Sequence, residues 1–415
     1  MAEIQPLRGV LYDSNRVRPQ EVLTQPYDKI TPAMQAAYEQ RSPYNLIRIE
    51  LGRDLPGDDG AQNKYTRAAS LYQQWLTEGI LRRTAQPALY WLEQRFAPPG
   101  QTGTLTRHAL IARVRLHRWE EGVILPHEHT LAKPKADRLA LLRATRSQQG
   151  PIFMLYPNSL PAPAVGEPLF DFVDDFNVAT RMWEITEPAV IASIQRALQP
   201  QTLYVADGHH RYETALAYRD EAGTEASRYV MAALVDMNDP GLIILPTHRA
   251  VGNLTGFDAG KFLHRLAMHF AVDACADLPA TLTAMQSREH AIGMFVGGRF
   301  AVLTPRDVRA FAPLFQTKPA LWDQLDVGLL HVAILEALLG IDEARLRDET
   351  HVTYWREPEL ACNEVQAGRA QLAFFLKPTP IRAVQAVADA RSRMPQKSTD
   401  FYPKFLSGLV IYELQ

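Results

Sequence analysis

Thr202-Leu-Tyr-Val-Ala-Asp-Gly-His-His-Arg-Tyr-Glu-Thr-Ala-Leu-Ala-Tyr218 reads as an apolar strand, a turn at Asp207-Gly208, and a helix opening with His209, His210 and Arg211. A strand that feeds a helix through glycine leaves the first amide N–H groups of that helix pointing at one spot. Gly208 allows close approach to the backbone, and Arg211 adds a fork of donors suited to phosphate or carboxylate. Asp207 can hold a divalent cation or accept a proton, and the two imidazoles titrate near neutral pH. Asp-Gly is also an ordinary turn signal. Five consecutive polar residues exceed what a turn requires, so the stretch reads as an anion site with chemistry beside it.

The rest of the 415 residues bound that reading. Lys and Arg number 44 against 46 Asp and Glu, a formal net charge of −2, which offers no surface for nucleic acid. Any anion site is therefore local. With 47% hydrophobic and 22% charged residues, the composition is that of an ordinary globular protein. Cys275 and Cys362 are too few for a disulfide scaffold or a zinc-thiolate site, which fits a reducing cytosol. No haem, flavin or iron–sulfur cluster is expected. The N-terminus lacks the pattern of a signal peptide, and no apolar run approaches the roughly 20 residues that span a bilayer. A cytoplasmic protein with no membrane partner is expected.

Outward from the turn, strands and helices alternate irregularly. Apolar positions recur at helical spacing between Asn63 and Gly79. Residues 88–96 and 109–116 predict an antiparallel strand pair, and 152–156, 229–235 and 242–245 predict core strands. Residues 259–270 predict a helix, and Gly297-Gly298 between two apolar runs predicts a hairpin. Mixed elements without regular βαβ alternation point to an α+β fold. The expected domains are a core over 1–250, a second α+β region over 251–375, and a segment over 376–415 that returns to the site.

Four further segments are polar beyond what a fold requires. In Leu125-Pro-His-Glu-His-Thr130, His127 and His129 alternate, so an extended chain would aim both to one side, for metal, phosphate or acid–base work. In Lys133-Pro-Lys-Ala-Asp-Arg-Leu-Ala-Leu-Leu-Arg-Ala-Thr-Arg146, a helix would gather Lys135, Arg138, Arg143 and Arg146 within about 140° of arc. Leu139 and Leu142 share that arc, so the face wants anionic partners, either acidic side chains or a phosphorylated ligand. In Leu245-Pro-Thr-His-Arg249, His248 and Arg249 follow a buried strand. In Met394-Pro-Gln-Lys-Ser-Thr-Asp-Phe-Tyr-Pro-Lys404, the polar Lys397, Ser398 and Thr399 precede Phe401, Phe405, Leu406 and Leu409, which should anchor an ordered loop.

Gln25-Pro-Tyr-Asp28, Pro43-Tyr-Asn-Leu-Ile-Arg-Ile-Glu50, Leu125-Pro-His-Glu-His-Thr130, Ala206-Asp-Gly-His-His-Arg-Tyr-Glu-Thr-Ala215, Leu245-Pro-Thr-His-Arg249 and Met394-Pro-Gln-Lys-Ser-Thr399 resemble in order the domain-of-unknown-function 1015 family, over essentially the full length. More narrowly, Asp207-Gly-His-His-Arg211 is similar to the glycine-x-x-arginine turn of the ParB/sulfiredoxin-like fold. One branch of that fold comprises kinases that phosphorylate free serine. That likeness implies an α+β, ParB/sulfiredoxin-like nucleotide-binding core, with a large additional C-terminal region. It also implies phosphates and Mg²⁺ at the Asp207 turn and an N-terminal acid as base, for which Asp28 and Glu50 both qualify.

The resulting expectation is a small-molecule phosphotransferase that uses a nucleotide (ATP or ADP), Mg²⁺ and a hydroxyl acceptor such as free serine. Gly208 and Arg211 would cradle phosphates, Asp207 would hold Mg²⁺, and His209 or His210 would stabilise developing charge. Lys133, Lys135, Arg138, Arg249 and Lys397 would close the site electrostatically. Two alternatives remain from other classes. One is a nucleotide-gated binding or regulatory protein without transfer; the other is a metal-dependent hydrolase built on His127, His129, His209 and His210.

Overall fold

The apolar runs of the first 240 residues pair into one mixed sheet. The computed structural model describes residues 1–130, 132–348 and 350–414, without the side chains of Ala132, Lys133 and Arg347. It divides into two compact units. The first is Met1–Pro126, Thr130–Ile243 and Tyr402–Gln415; the second is His127–His129 and Ile244–Phe401. Residues 244–250 and 376–401 thus pack with the second unit, and the return to the first begins at Tyr402.

Among the described residues, the sheet of the first unit has nine strands. The neighbours in order are Ile124–Pro126, Leu203–Asp207, Ile152–Tyr156, Tyr229–Asp236, Leu105–Arg115, Leu89–Phe96, Ala179–Ile185 and Phe170–Val173, with Ile4–Gln5 beside Leu105–Arg115. Leu203–Asp207 runs parallel to Ile124–Pro126 and antiparallel to Ile152–Tyr156. Tyr229–Asp236 is parallel to Ile152–Tyr156 and antiparallel to Leu105–Arg115. The fold is α+β.

Side chains two apart share a face, so Leu110, Ala112 and Val114 join Ile152, Met154, Leu203, Val205, Val230, Ala232 and Leu234 in one core. Ile194 and Leu198 of the helix Pro188–Leu198, and Tyr212 and Ala215 of the helix His209–Ala222, cover it. Full burial of each large aliphatic side chain contributes about 1.5–3 kcal/mol.

The C-terminal segment docks on Arg107. This fully buried guanidinium donates to the carbonyls of Tyr402 (3.3 Å) and Pro403 (2.7 Å) and lies over the rings of Phe153 and Phe405. A smaller sheet orders Leu81–Arg83, Gly9–Tyr12, Ile411–Glu413 and Ser147–Gln148. It brings Ser407 and Gly408 beside Gln149 and Gly150, where the Gly408 N–H donates to the Gln149 carbonyl at 2.7 Å. A Cβ on Gly150 would meet Ser407 Oγ at 2.6 Å, so a side chain there would displace that hydroxyl.

In the second unit an antiparallel sheet orders Phe270–Cys275, Arg299–Pro305, Ile292–Val296, Leu372–Phe375, His248–Val251 and Val352–Trp355. Gly297 and Gly298 make its hairpin, both at positive φ. Ala250, Leu278, Met285, Phe295, Val302, Ala361 and Phe375 form its core. No described helix is long and apolar enough to cross a membrane.

Candidate functional site

The strand Leu203–Asp207 ends at Asp207, Gly208 turns the chain at φ +92°, and the helix His209–Ala222 starts at once. Only glycine takes that conformation without strain, and a Cβ there would meet Arg211 Nη2 at 2.9 Å. Arg211 therefore packs against bare backbone. It is held there by a 2.9 Å hydrogen bond from Nη1 to the Pro151 carbonyl. The positive end of the helix dipole falls on the same turn. His209 is buried in the first helical turn and His210 is half-buried.

Asp207 is half-buried. Lys404, brought in by the C-terminal segment, places Nζ 2.8 Å from Asp207 Oδ2, with side chains 7% and 22% exposed. Burial alone would raise this carboxyl, but Lys404, Arg211 and Lys29 outweigh it and hold the group well below the usual carboxylate range.

The other acid is positioned by local chemistry around Asn45. Its side chain accepts from the Ile47 N–H at 3.0 Å and donates to the Glu21 carbonyl at 2.7 Å, fixing the short helix Ile47–Glu50. Glu50 is 4% exposed at its end. Arg138 donates to the Glu50 carbonyl at 2.7 Å, has its Nη1 3.8 Å from Glu50 Oε1, and lies over the Tyr27 ring. Burial raises the Glu50 carboxyl; Arg138 and Arg211 pull it back, and Asp28 adds to the rise. Burial also pushes the Tyr27 hydroxyl up to about 12, with Asp28 reinforcing it. Asp28 itself is exposed in the turn Tyr27–Lys29.

Glu50, Arg138, Gln149, Arg211 and Thr214 line a cavity of about 50 Å³ whose remaining wall is largely apolar. That is room for a few waters or one small polar group. Gln148 also lines it, with its buried Nε2 lacking a hydrogen-bond partner.

The basic helix Ala132–Thr145 resolves its two readings residue by residue. Lys135 donates to Glu213 at 2.8 Å and Arg143 makes a paired contact to Glu221, both acids lying on the helix His209–Ala222. Acidic side chains are thus the partners of those two. Arg138 also has an acidic partner, donating from Nε to Asp137 at 2.9 Å, and alone of them it reaches the cavity with Glu50. The side chain of Lys133 lies outside the described residues.

The remaining candidates belong to the second unit. The extended stretch on which the same-side expectation for His127 and His129 rests is not formed: the chain bends at Glu128, with His127 buried and His129 exposed. His127 Nε2 lies 2.9 Å from Thr399 Oγ1, which donates to Glu128 at 3.1 Å. Arg249 is fully buried and donates to the carbonyls of Lys397 (2.9 Å) and Gln396 (3.4 Å), and burial lowers it to about 10. His248 is driven down to about 3 by burial and then by Arg249, and accepts from the Leu376 N–H. Ser398 is buried, its hydroxyl bonded to the Pro395 carbonyl, and Lys397 sits at φ +55°.

No three His, Cys, Asp or Glu side chains among the described residues form a metal-binding group. The donor set at the turn fits Mg²⁺ poorly: the Lys404 ammonium already stands at Asp207 Oδ2, and Asp207 belongs to no group of three acidic, His or Cys donors among the described residues. Sequence reasoning missed Lys404, although it closed a segment already singled out. It also missed Tyr27, Lys29 and Gln149; Tyr27 lay inside a quoted motif, whereas Gln149 carried no signal.

Among solved structures, the chain is similar to a conserved hypothetical protein from Pyrococcus furiosus (14% identity, 72% of this chain and 94% of that one, TM-score 0.36). It is similar also to a free serine kinase in complex with AMP (13%, 74% and 92%, TM-score 0.37) and to C-terminally truncated SbnI from Staphylococcus aureus (11%, 72% and 85%, TM-score 0.36). Likenesses this distant carry no argument about activity. No curated protein matches the chain. Residues 4–328 match the model of the family described as "Protein of unknown function (DUF1015)", and the chain belongs to that family.

Proposed function

We propose that this chain is a cytoplasmic phosphotransferase that moves a phosphoryl group from a nucleotide to a small hydroxyl metabolite, for which free serine is the first candidate. The carrying observation is the placement of Arg211. It packs on the bare backbone of Gly208 at a helix start and acts electrostatically on both Asp207 and Glu50.

On this reading the donor phosphates lie along Gly208 and Arg211. Phosphoryl transfer requires positioning and charge neutralisation more than covalent chemistry from the protein. The acceptor oxygen forms a bond to phosphorus as the bridging P–O bond breaks, and the shortened nucleotide leaves with that oxygen. Glu50 takes the hydroxyl proton. Its raised pKa brings it nearer neutrality than an ordinary carboxylate, which suits a general base, and its cavity suits a small acceptor. Asp28, exposed, is the second candidate base. The free-serine assignment rests on the similarity of the Asp207–Arg211 turn to that of the serine-phosphorylating kinases.

Calorimetry with ATP, ADP and pyrophosphate on wild type and Arg211→Ala tests the phosphate site. Binding by wild type that is lost in the variant supports it, and no binding by wild type rejects it. Transfer to serine and related hydroxyl compounds is then followed in Glu50→Gln and Asp28→Asn. A loss of 100-fold or more in one of them, with nucleotide affinity retained, identifies the base. Equal binding with no product in wild type would favour a nucleotide-gated regulatory role.

A further inference from the structure

Phosphate groups at a turn of this kind need positive charge close by, and the carboxylate at such a turn commonly recruits it as a divalent cation. Here the position beside Asp207 is taken by a side chain. Lys404 Nζ stands 2.8 Å from Asp207 Oδ2, and its stem is 7% exposed. The buried Arg107 fixes the backbone before Lys404 through the Tyr402 and Pro403 carbonyls, and Phe405 after it packs edge-on to Phe153 at 4.8 Å. Lys404 is therefore held from both sides in the chain. Lys29 and Arg211 add two further cations to the field at Asp207.

We infer that Lys404 serves as a built-in cation at this turn, so that the site takes its phosphate-bearing ligand in metal-free form. The inference rests on the phosphate-site reading above. A lysine ammonium is a compact point charge with three donors, able to bridge a carboxylate and a phosphate oxygen at once. Asp207 then anchors Lys404 and Arg211 instead of ligating a metal, and the ligand's charge is met by Lys404, Arg211 and Lys29. The groups that face the bound anion from the same cluster are Glu50 and Asp28, which oppose it, and Arg138, which favours it.

The experiment is calorimetry of the full chain with ADP and with pyrophosphate, in EDTA and in Mg²⁺, on wild type, Lys404→Met and the double variant Lys404→Met/Asp207→Asn. Methionine keeps the buried stem, and the double variant removes both charges, so a folded control exists even where the single variant is unstable. The expected result is wild-type affinity within about threefold in EDTA and Mg²⁺, with at least a tenfold loss in both variants. Binding by wild type only with Mg²⁺ overturns the inference and leaves the phosphate site standing. Metal-free binding that both variants retain overturns the role of Lys404. Failure of both probes to bind wild type under any condition rejects the phosphate site itself, and the inference with it.

Discussion

The Lys404–Asp207 pair makes the sharpest stability prediction, because its partners are 197 residues apart, one buried and the other half-buried. At an effective dielectric of about 20, unit charges 2.8 Å apart attract by roughly 6 kcal/mol, from which the cost of stripping both of water is subtracted. Breaking a buried pair from one side costs about 3–5 kcal/mol. Lys404→Met leaves Asp207 with Arg211 and Lys29, so its cost falls at the lower end, about 3 kcal/mol. Asp207→Asn turns the ammonium toward an amide and costs a similar amount. The double variant removes both charges and should cost no more than the larger single change, a coupling of roughly 2–3 kcal/mol. For a folding unit of this size, 3 kcal/mol lowers Tm by roughly 6–12 °C. Denaturant unfolding at pH 7, followed by far-UV circular dichroism, measures the cycle. The pH arm has a fixed sign. The Asp207 carboxyl lies below its ordinary 3.8, so the pair's contribution is complete above that value and fades as pH falls through the folded pKa. The gap between wild type and Asp207→Asn should therefore stay level from pH 5 to 8 and narrow only in stronger acid. Single variants costing under about 1 kcal/mol, or costs that simply add, would refute the reasoning.

Three further outcomes follow from the same region. Gly208→Ala forces a Cβ into a left-handed position against Arg211 and should cost about 1–2 kcal/mol, with loss of phosphate binding in calorimetry. Glu50→Gln should gain stability relative to wild type as pH rises. The folded-state pKa of Glu50 is raised, so wild type loses stability as pH climbs through the range just above 4.5, and urea titrations at pH 4 and pH 7 read the difference. Lys135→Met breaks a half-exposed pair with Glu213 and should cost no more than about 1 kcal/mol in thermal melts, leaving ligand affinity unchanged.

What could be read in the sequence was local. The strand-turn-helix at Asp207 announces itself through an apolar run, a glycine and a change of period, all within 17 residues. The Gly297-Gly298 hairpin and the helix Lys64–Thr77 were legible for the same reason, whereas the Asn63 cap of that helix was not read. Partners far apart in the chain were not. Nothing near Lys404 says that it meets Asp207, and nothing near Arg143 says that its anion is Glu221. Period-two reasoning does not apply at His127 and His129 because it presumes an unbroken extended chain, and the chain bends at Glu128. The choice between Asp28 and Glu50 also lay beyond spacing. It turns on burial, and burial of Glu50 depends on the Asn45 hydrogen bonds that seat its short helix.

Neighbouring charge, added to burial, separates the two carboxylates of the candidate site. Two carboxylates answer to the same guanidinium, Arg211, yet are pushed in opposite directions. Asp207 is overwhelmed by cations and stays ionised throughout the physiological range, so it cannot exchange protons there and is suited to anchoring charge. Glu50 loses more to desolvation than Arg138 and Arg211 return, so its carboxyl is shifted upward, in the direction a general base requires. Where two titratable groups in one site have pKa values driven apart, the environment has assigned one a structural charge and the other a chemical role. On that argument Glu50 is the group to test first for proton transfer, and Asp207 is the group whose loss should disturb ligand affinity before it disturbs any pH profile. A pH–rate profile displaced by Asp207→Asn but untouched by Glu50→Gln would reverse the assignment.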